Sequence, residues 1–243
     1  MILRARGLAI SFAVLLLALA VPVAADAATT VVAPTEGFFE RQQVKTFGTL
    51  VTREFHEQRR QLFPTGGLPN QFTGYHAAVD LEFHDPASLN REIPVVAVAA
   101  GEVIFRGSVP GYGGLIALRH AQPESVTSLY GHVRLADAPV RVGQEVTAGQ
   151  TLAFLGANFS ADTSGARKHL HFGIHKGPSL VVAGHVPTQA ALAAWHDPNE
   201  WLRRYLPQPT PLPSATVVPQ PSPLPEPKGF WDRLFGFFAN LFG

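Results

Sequence analysis

The stretch Lys168–His175 reads KHLHFGIH. Its histidines fall at 169, 171 and 175, all of one parity, in and around the apolar run Leu170–Ile174. A β-strand sends alternate side chains to opposite faces, so a strand here turns all three imidazoles to one side. At about 3.3 Å per residue, His175 then stands some 13 Å along the strand from His171, too far to share a ligand with it. The reading reduces the three histidines to a pair.

Working outward, the segment from Phe72 to about Ile174 is dominantly β in pattern. Val95–Ala99, Glu102–Arg106, Leu115–Arg119, Val126–Tyr130 and Thr151–Leu155 are short apolar or β-branched runs punctuated by Gly and Pro. Such spacing predicts a mainly β domain, an antiparallel sheet or barrel-like structure. Upstream, Val44–Thr52 (VKTFGTLVT) has the β-branched content of a strand. Downstream, Thr188–Tyr205 reads as helix around an interruption at Pro198.

The chain has 243 residues, 46% hydrophobic and 15% charged, which suits one globular domain with appendages. Net charge is +1, and Arg4 and Arg6 lie in the first six residues, so the rest is close to neutral. That argues against a nucleic-acid partner, which calls for a basic patch. There is no cysteine, so disulfides and thiolate metal sites are excluded and any metal must sit on histidine and carboxylate.

The start, MILRARGLAISFAVLLLALAVPVAADAA, combines two arginines, an apolar run from Leu8 to Val21 and small residues at 23–27. This is the pattern of a secretory signal peptide, with cleavage expected after Ala25 or Ala27. Export to the periplasm, the cell wall or the medium follows as an expectation. At the other end, the Pro-rich stretch 207–228 reads as an extended spacer. Beyond it, KGFWDRLFGFFANLFG places Phe230, Trp231, Leu234, Phe235, Phe238, Leu241 and Phe242 on one helical face. Sixteen residues rise about 24 Å as a helix, short of a roughly 30 Å hydrocarbon core. Peripheral attachment to a membrane and docking on protein are both open for residues 229–243.

Within the β-rich segment, His76 and Asp80 stand four apart in GYHAAVDLEF, His132 ends the run SLYGHV, and His169-Leu170-His171 follows. A catalytic zinc ion takes three protein ligands and keeps a fourth position for water, whose pKa it lowers while polarising a substrate carbonyl. His76, Asp80 and His171 would supply two nitrogens and an oxygen. Such a site also needs a proton acceptor and a donor to the tetrahedral oxyanion, for which His132 and His169 are the candidates.

The ordered set HxxxD, a later histidine after a Tyr-containing strand, and HxH resembles the lysostaphin/LytM-type zinc endopeptidases of bacterial cell-wall peptidoglycan. PVVAVAAGEVIFRG resembles that family's first hairpin, PGYGGLIALRH its Gly-rich turn and next strand, and VRVGQEVTAGQTLAFLG the pair before the last histidines. The resemblance implies a duplicated hybrid motif fold, with one Zn2+ on His76, Asp80 and His171 and with His132 and His169 catalytic. It implies peptidoglycan peptides as partners, and a monomer is expected. The expected organisation is a signal peptide at 1–25, an N-terminal segment with one strand at 26–71, and a zinc peptidase domain with a C-terminal helix at 72–206. A linker at 207–228 and an amphipathic aromatic helix at 229–243 complete it.

Two departures stand out. Ala78 occupies a position where the family usually has glycine, so a left-handed backbone there would cost about 1 kcal/mol. Gly173 stands where the family often has an acidic residue, which removes a carboxylate from the groove floor. Asn158–Lys168 is a candidate groove wall, with Arg167 and Lys168 facing peptide carboxylates or, the preferred reading, standing as solvated loop charges. Tyr130 is read chiefly as a packing aromatic, and His56, His84, His120, His185 and His196 as bystanders. Asn70 or Gln71 could in principle occupy the open metal position. The competing function is a regulator of the same fold that activates another wall hydrolase. A D-alanyl-D-alanine carboxypeptidase needs a longer first spacing and an acidic residue before the last histidine; a lipoyl or biotinyl carrier needs a lysine on the VGQEVTAGQTL turn. The sequence has none of these.

Overall fold

The structure is a computed structural model that describes residues 30–52 and 73–207. The expected signal peptide, the Pro-rich linker, the aromatic helix, His56, Asn70 and Gln71 lie outside the described residues. In chain order the elements are β1 (Gln43–Lys45), β2 (Leu50–Val51), β3 (Gly74–His76), β4 (Val79–Glu82), the single-turn helix α1 (Pro86–Leu89), β5 (Pro94–Val96) and β6 (Gly101–Val109). They continue with β7 (Gly113–His120), β8 (Val126–Gly131), β9 (Val133–Arg134), β10 (Glu145–Val146), β11 (Thr151–Leu155), β12 (His169–Lys176), β13 (His185–Val186), β14 (Trp195–His196) and α2 (Pro198–Tyr205).

The main sheet has the order β1-β4-β12-β8-β7-β6-β10, with β14 also on β12, and every pair is antiparallel. Two three-stranded sheets flank it, β5-β11-β9 and β13-β3-β2. The fold is mainly antiparallel β, as the sequence pattern predicts.

Strand parity divides the main sheet into two faces. Val79 and Leu81 of β4, Ile116 and Leu118 of β7, Tyr130 of β8, and Leu170, Phe172 and Ile174 of β12 enter one large apolar core. Each such side chain contributes roughly 1.5–3 kcal/mol by leaving water. The alternate residues face the other way. There Leu115, Ala117 and Leu129 join Ala77, Tyr112 and Trp195 in a second, smaller cluster. His171 lies opposite Asp80 on one neighbour and opposite Gly131 on the other. The core therefore fixes the strand register, and a one-residue slip would carry the histidines into hydrocarbon.

The region 188–205 is not a helix broken at Pro198. A 3-10 segment, Gln189–Ala194, leads into β14, and Pro198 opens α2 rather than interrupting it. Proline suits a first helical turn because its missing N–H has no partner there anyway. Asp197 caps the helix by accepting from Asn199 N at 2.8 Å. Glu124 anchors this segment, accepting from His196 Nε2 (3.0 Å), Trp201 Nε1 (3.2 Å) and Tyr205 Oη (3.2 Å).

Candidate metal centre and its groove

His76 ends β3, Asp80 lies in β4 and His171 lies in β12. The tight link between β3 and β4 brings the HxxxD residues together, and the β4–β12 register brings Asp80 opposite His171. His76 Nε2 is 3.2 Å from Asp80 Oδ1 and 3.3 Å from His171 Nδ1, and His171 Nδ1 is 2.8 Å from Asp80 Oδ1. Bond lengths of 2.0–2.1 Å around a tetrahedral zinc ion place neighbouring donors about 3.3 Å apart. Two imidazole nitrogens and a carboxylate oxygen at these separations fit such an ion, and all three residues are buried.

The surrounding contacts orient these donors. His76 Nδ1 donates to Thr46 O at 3.3 Å, which leaves the Nε2 lone pair turned to Asp80 and His171. Lys45 Nζ lies 2.7 Å from Asp80 Oδ2, so Oδ1 is the oxygen left facing the imidazoles. Burial alone would raise the Asp80 carboxyl, but Lys45 and the neighbouring histidines outweigh it and hold it well below the usual range. Burial pushes His76 down to about 4 against the pull of Asp80, so its ring is neutral at pH 7 and able to ligate.

His132 and His169 stand beside this set with ring centroids 4.1 Å apart. His169 Nδ1 donates to Arg167 O at 2.7 Å, so its Nε2 carries a lone pair, 3.8 Å from Asp80 Oδ2. His132 Nδ1 is buried and has no hydrogen-bond partner among the described residues. Its backbone is left-handed, φ 63°, a conformation costing on the order of 1–3 kcal/mol for a residue with a Cβ. Two bonds hold it there: His132 N donates to Tyr112 O (3.1 Å) and His132 O accepts from Gly156 N (2.8 Å). Burial depresses both rings, His132 to about 3 and His169 well below its ordinary value. The structure thus brings together all five residues singled out in the sequence.

Three neighbours were not singled out. Lys45 reaches Asp80 because β1 pairs with β4, with Lys45 opposite Asp80; no motif marks it. His185 lies opposite His76 in the β3–β13 pair, with rings 5.0 Å apart, and burial pushes it down to about 2. Tyr112 sits in the turn between β6 and β7, its ring edge-on to His171 at 5.0 Å and stacked near His132 at 6.3 Å. Its only signal in the sequence is its place in the Gly-rich turn PGYGG.

Several expectations change. Arg167 and Lys168 are neither groove-wall cations nor solvated charges; both are buried. Arg167 Nε donates to Glu82 Oε2 at 2.7 Å and Nη2 to Oε1. Lys168 Nζ donates to the carbonyls of Ser88 (3.0 Å) and Arg91 (2.6 Å). A buried charge needs such partners, so the register that aligns β4 with β12 consumes these cations structurally. Ala78 is fully buried with no left-handed backbone, so the expected strain is absent. At Gly173 a Cβ would meet Ala77 O at 3.3 Å and Trp195 at 3.5 Å, so the strand packs against backbone and indole where the family often has an acidic residue. Tyr130 is fully buried and accepts from Val98 N at 3.0 Å. His120 bonds Ala100 O (2.9 Å) and Ser128 Oγ (2.7 Å), away from the ligands. His175 packs against Trp195, its ring 5.0 Å from the indole, outside the centre.

Residues 74–183 match the family model of Peptidase family M23. An uncharacterized protein of Haemophilus influenzae is 39% identical over 94 residues, covering 38% of this chain and 21% of that protein. The chain thus spans about a fifth of the length of that curated relative. The catalytic domain of lysostaphin, the antimicrobial peptidase from Staphylococcus simulans, superposes with a TM-score of 0.45 at 21% identity over 68% of this chain and 95% of that one. LytU superposes with a TM-score of 0.42 at 21% identity over 68% and 86%.

Proposed function

We propose, from the premise that residues 74–183 form a peptidase family M23 domain, that this chain is an exported zinc endopeptidase cutting stem or cross-link peptides of bacterial peptidoglycan. The observation that carries the reading is the convergence of His76 Nε2, Asp80 Oδ1 and His171 Nδ1 within 3.3 Å of one another, beside the paired rings of His132 and His169. An enzyme needs both sets, whereas a regulator of the same fold needs neither.

A bound zinc ion supplies a Lewis acid that polarises a carbonyl and makes water acidic near neutrality. The chain's own residues do the rest. His169, fixed by Arg167 O, presents Nε2 as a proton acceptor, and burial keeps that nitrogen unprotonated at pH 7. His132, held by its left-handed backbone against His169, presents a second imidazole for hydrogen bonding to the developing oxyanion.

The test is zinc content together with digestion of purified sacculi from several wall types, with His132→Ala and His171→Ala as controls. The reading expects one zinc per chain, hydrolysis by the unmodified protein, loss of zinc in His171→Ala, and loss of hydrolysis with zinc retained in His132→Ala. Stoichiometric zinc without hydrolysis of any wall would assign the chain to the regulators instead. The leader pattern of residues 1–27 supports export, which N-terminal sequencing of the secreted chain checks.

A further inference from the structure

Tyr112 occupies a slot that two glycines keep open. A Cβ on Gly131 would lie 2.5 Å from Tyr112 Cδ1, and a Cβ on Gly184 would lie 3.3 Å from Tyr112 Oη. The same point above Gly184 is 3.2 Å from His171 Cε1 and 3.4 Å from His171 Nε2. One point above Gly184 thus lies within 3.4 Å of both the phenol oxygen and the Cε1–Nε2 edge of the ligand imidazole, whose Nδ1 faces Asp80. The residue is 8% exposed, and its hydroxyl is buried with no hydrogen-bond partner among the described residues.

An unpartnered buried hydroxyl lowers stability relative to an apolar group of the same shape. Phenylalanine would fill this slot without that cost. Tyr130, which is fully buried, shows the usual solution: its oxygen accepts from Val98 N and Ser128 Oγ. A phenol keeps its proton across the neutral range and so is a donor there.

We propose that Tyr112 Oη is a specificity-determining hydrogen-bond donor, aimed beside His171 at a carbonyl oxygen of the bound wall peptide. This rests on the peptidase reading above. The partner chemistry is a neutral acceptor: the buried hydroxyl offers one proton and no charge, which suits a peptide carbonyl.

The experiment compares Tyr112→Phe with the unmodified protein on soluble cross-linked muropeptides released from sacculi by a muramidase. Three quantities are read: urea stability, kcat/KM, and affinity for the same muropeptides in a His132→Ala background. The expected pattern is opposed. Tyr112→Phe is as stable as the unmodified protein or more so, retains its zinc, loses about tenfold in kcat/KM and loses a similar factor in affinity. Unchanged kcat/KM and affinity overturn the proposal, as does a loss of stability, which would mean that the hydroxyl already serves the fold. Cleavage by the unmodified protein with Tyr112→Phe equally active sinks this inference alone. Neither cleavage nor binding by the unmodified protein overturns it together with the peptidase reading.

Discussion

Gly131 offers a sharp test of the slot, because its cost should depend on a residue far from it in sequence. An added methyl would meet Tyr112 at 2.5 and 3.1 Å and His171 Cβ at 3.2 Å. Ordinary carbon contacts lie near 3.5–4.0 Å, so the phenol must retreat by about 1 Å into a region already filled by His132 and His171. Overpacking of this kind costs about 1–3 kcal/mol. Gly131 has no left-handed backbone, so alanine there carries no dihedral penalty and restricts the unfolded chain slightly. The predicted loss for Gly131→Ala is therefore steric and comes mainly from Tyr112. Tyr112→Ala by itself should cost about 3–5 kcal/mol through the cavity it leaves. In the double variant the two closest contacts of the methyl are gone, and the contact with His171 Cβ at 3.2 Å remains. The pair should then be less destabilised than the sum of the singles by about 1–3 kcal/mol. Urea unfolding of all four proteins measures this coupling. Additivity within about 0.5 kcal/mol would refute the argument that Gly131 is glycine because of Tyr112.

Other consequences can be checked separately. Zinc at 100 times its dissociation constant should stabilise the protein by about 2.7 kcal/mol in thermal or urea unfolding. His171→Ala should abolish that gain and His175→Ala should keep it, because His175 packs on Trp195 outside the centre. Lys45→Met should destabilise the chain by about 3 kcal/mol by leaving the fully buried Asp80 without its cation. The loss should shrink in an Asp80→Asn background, and equal losses in the two backgrounds would remove Lys45 from the account. In chelator, stability should be full above the unfolded histidine pKa of about 6.5 and should fall as pH drops toward about 4 and then about 3, where His76 and His132 protonate in the folded state. Asp80, depressed in the native state, acts in the same direction at lower pH. A flat urea midpoint between pH 7 and pH 4.5 would contradict the neutral buried imidazoles.

The sequence showed most of the sheet because strand parity is a local property. Thr151–Leu155 has the predicted limits, and β6, β7, β8 and β12 extend their predicted cores by only a few residues at the ends. The HxxxD and HxH spacings likewise place ligands through short-range geometry. Less visible was anything set by long-range register. Arg167 and Lys168 look like loop charges in sequence, and only the alignment of β4 with β12 shows that Glu82 and carbonyls in and just after α1 bind them. Pro198 read as an interruption because proline breaks a helix interior, but it opens α2 once Asp197 caps the first turn.

The same distinction explains why the metal ligands were recognisable and their supporting residues were not. A ligand must be histidine or carboxylate, so its chemistry narrows the choice of residue and its spacing does the rest. Lys45, Tyr112 and His185 act through proximity across strands and turns. Lys45 is brought to Asp80 by the β1–β4 pair, His185 to His76 by the β13–β3 pair, and Tyr112 to His171 by a turn whose neighbours are glycines. Each of these residue types is common on ordinary surfaces, so none carries a signal by itself. The recoverable trace lies instead in the residues that make room. Gly131 is the last residue of β8, in a strand context where glycine is disfavoured, and directly before a histidine of the site. A glycine retained in such a place implies a close neighbour, and here that neighbour is the tyrosine whose hydroxyl has no partner in the described protein.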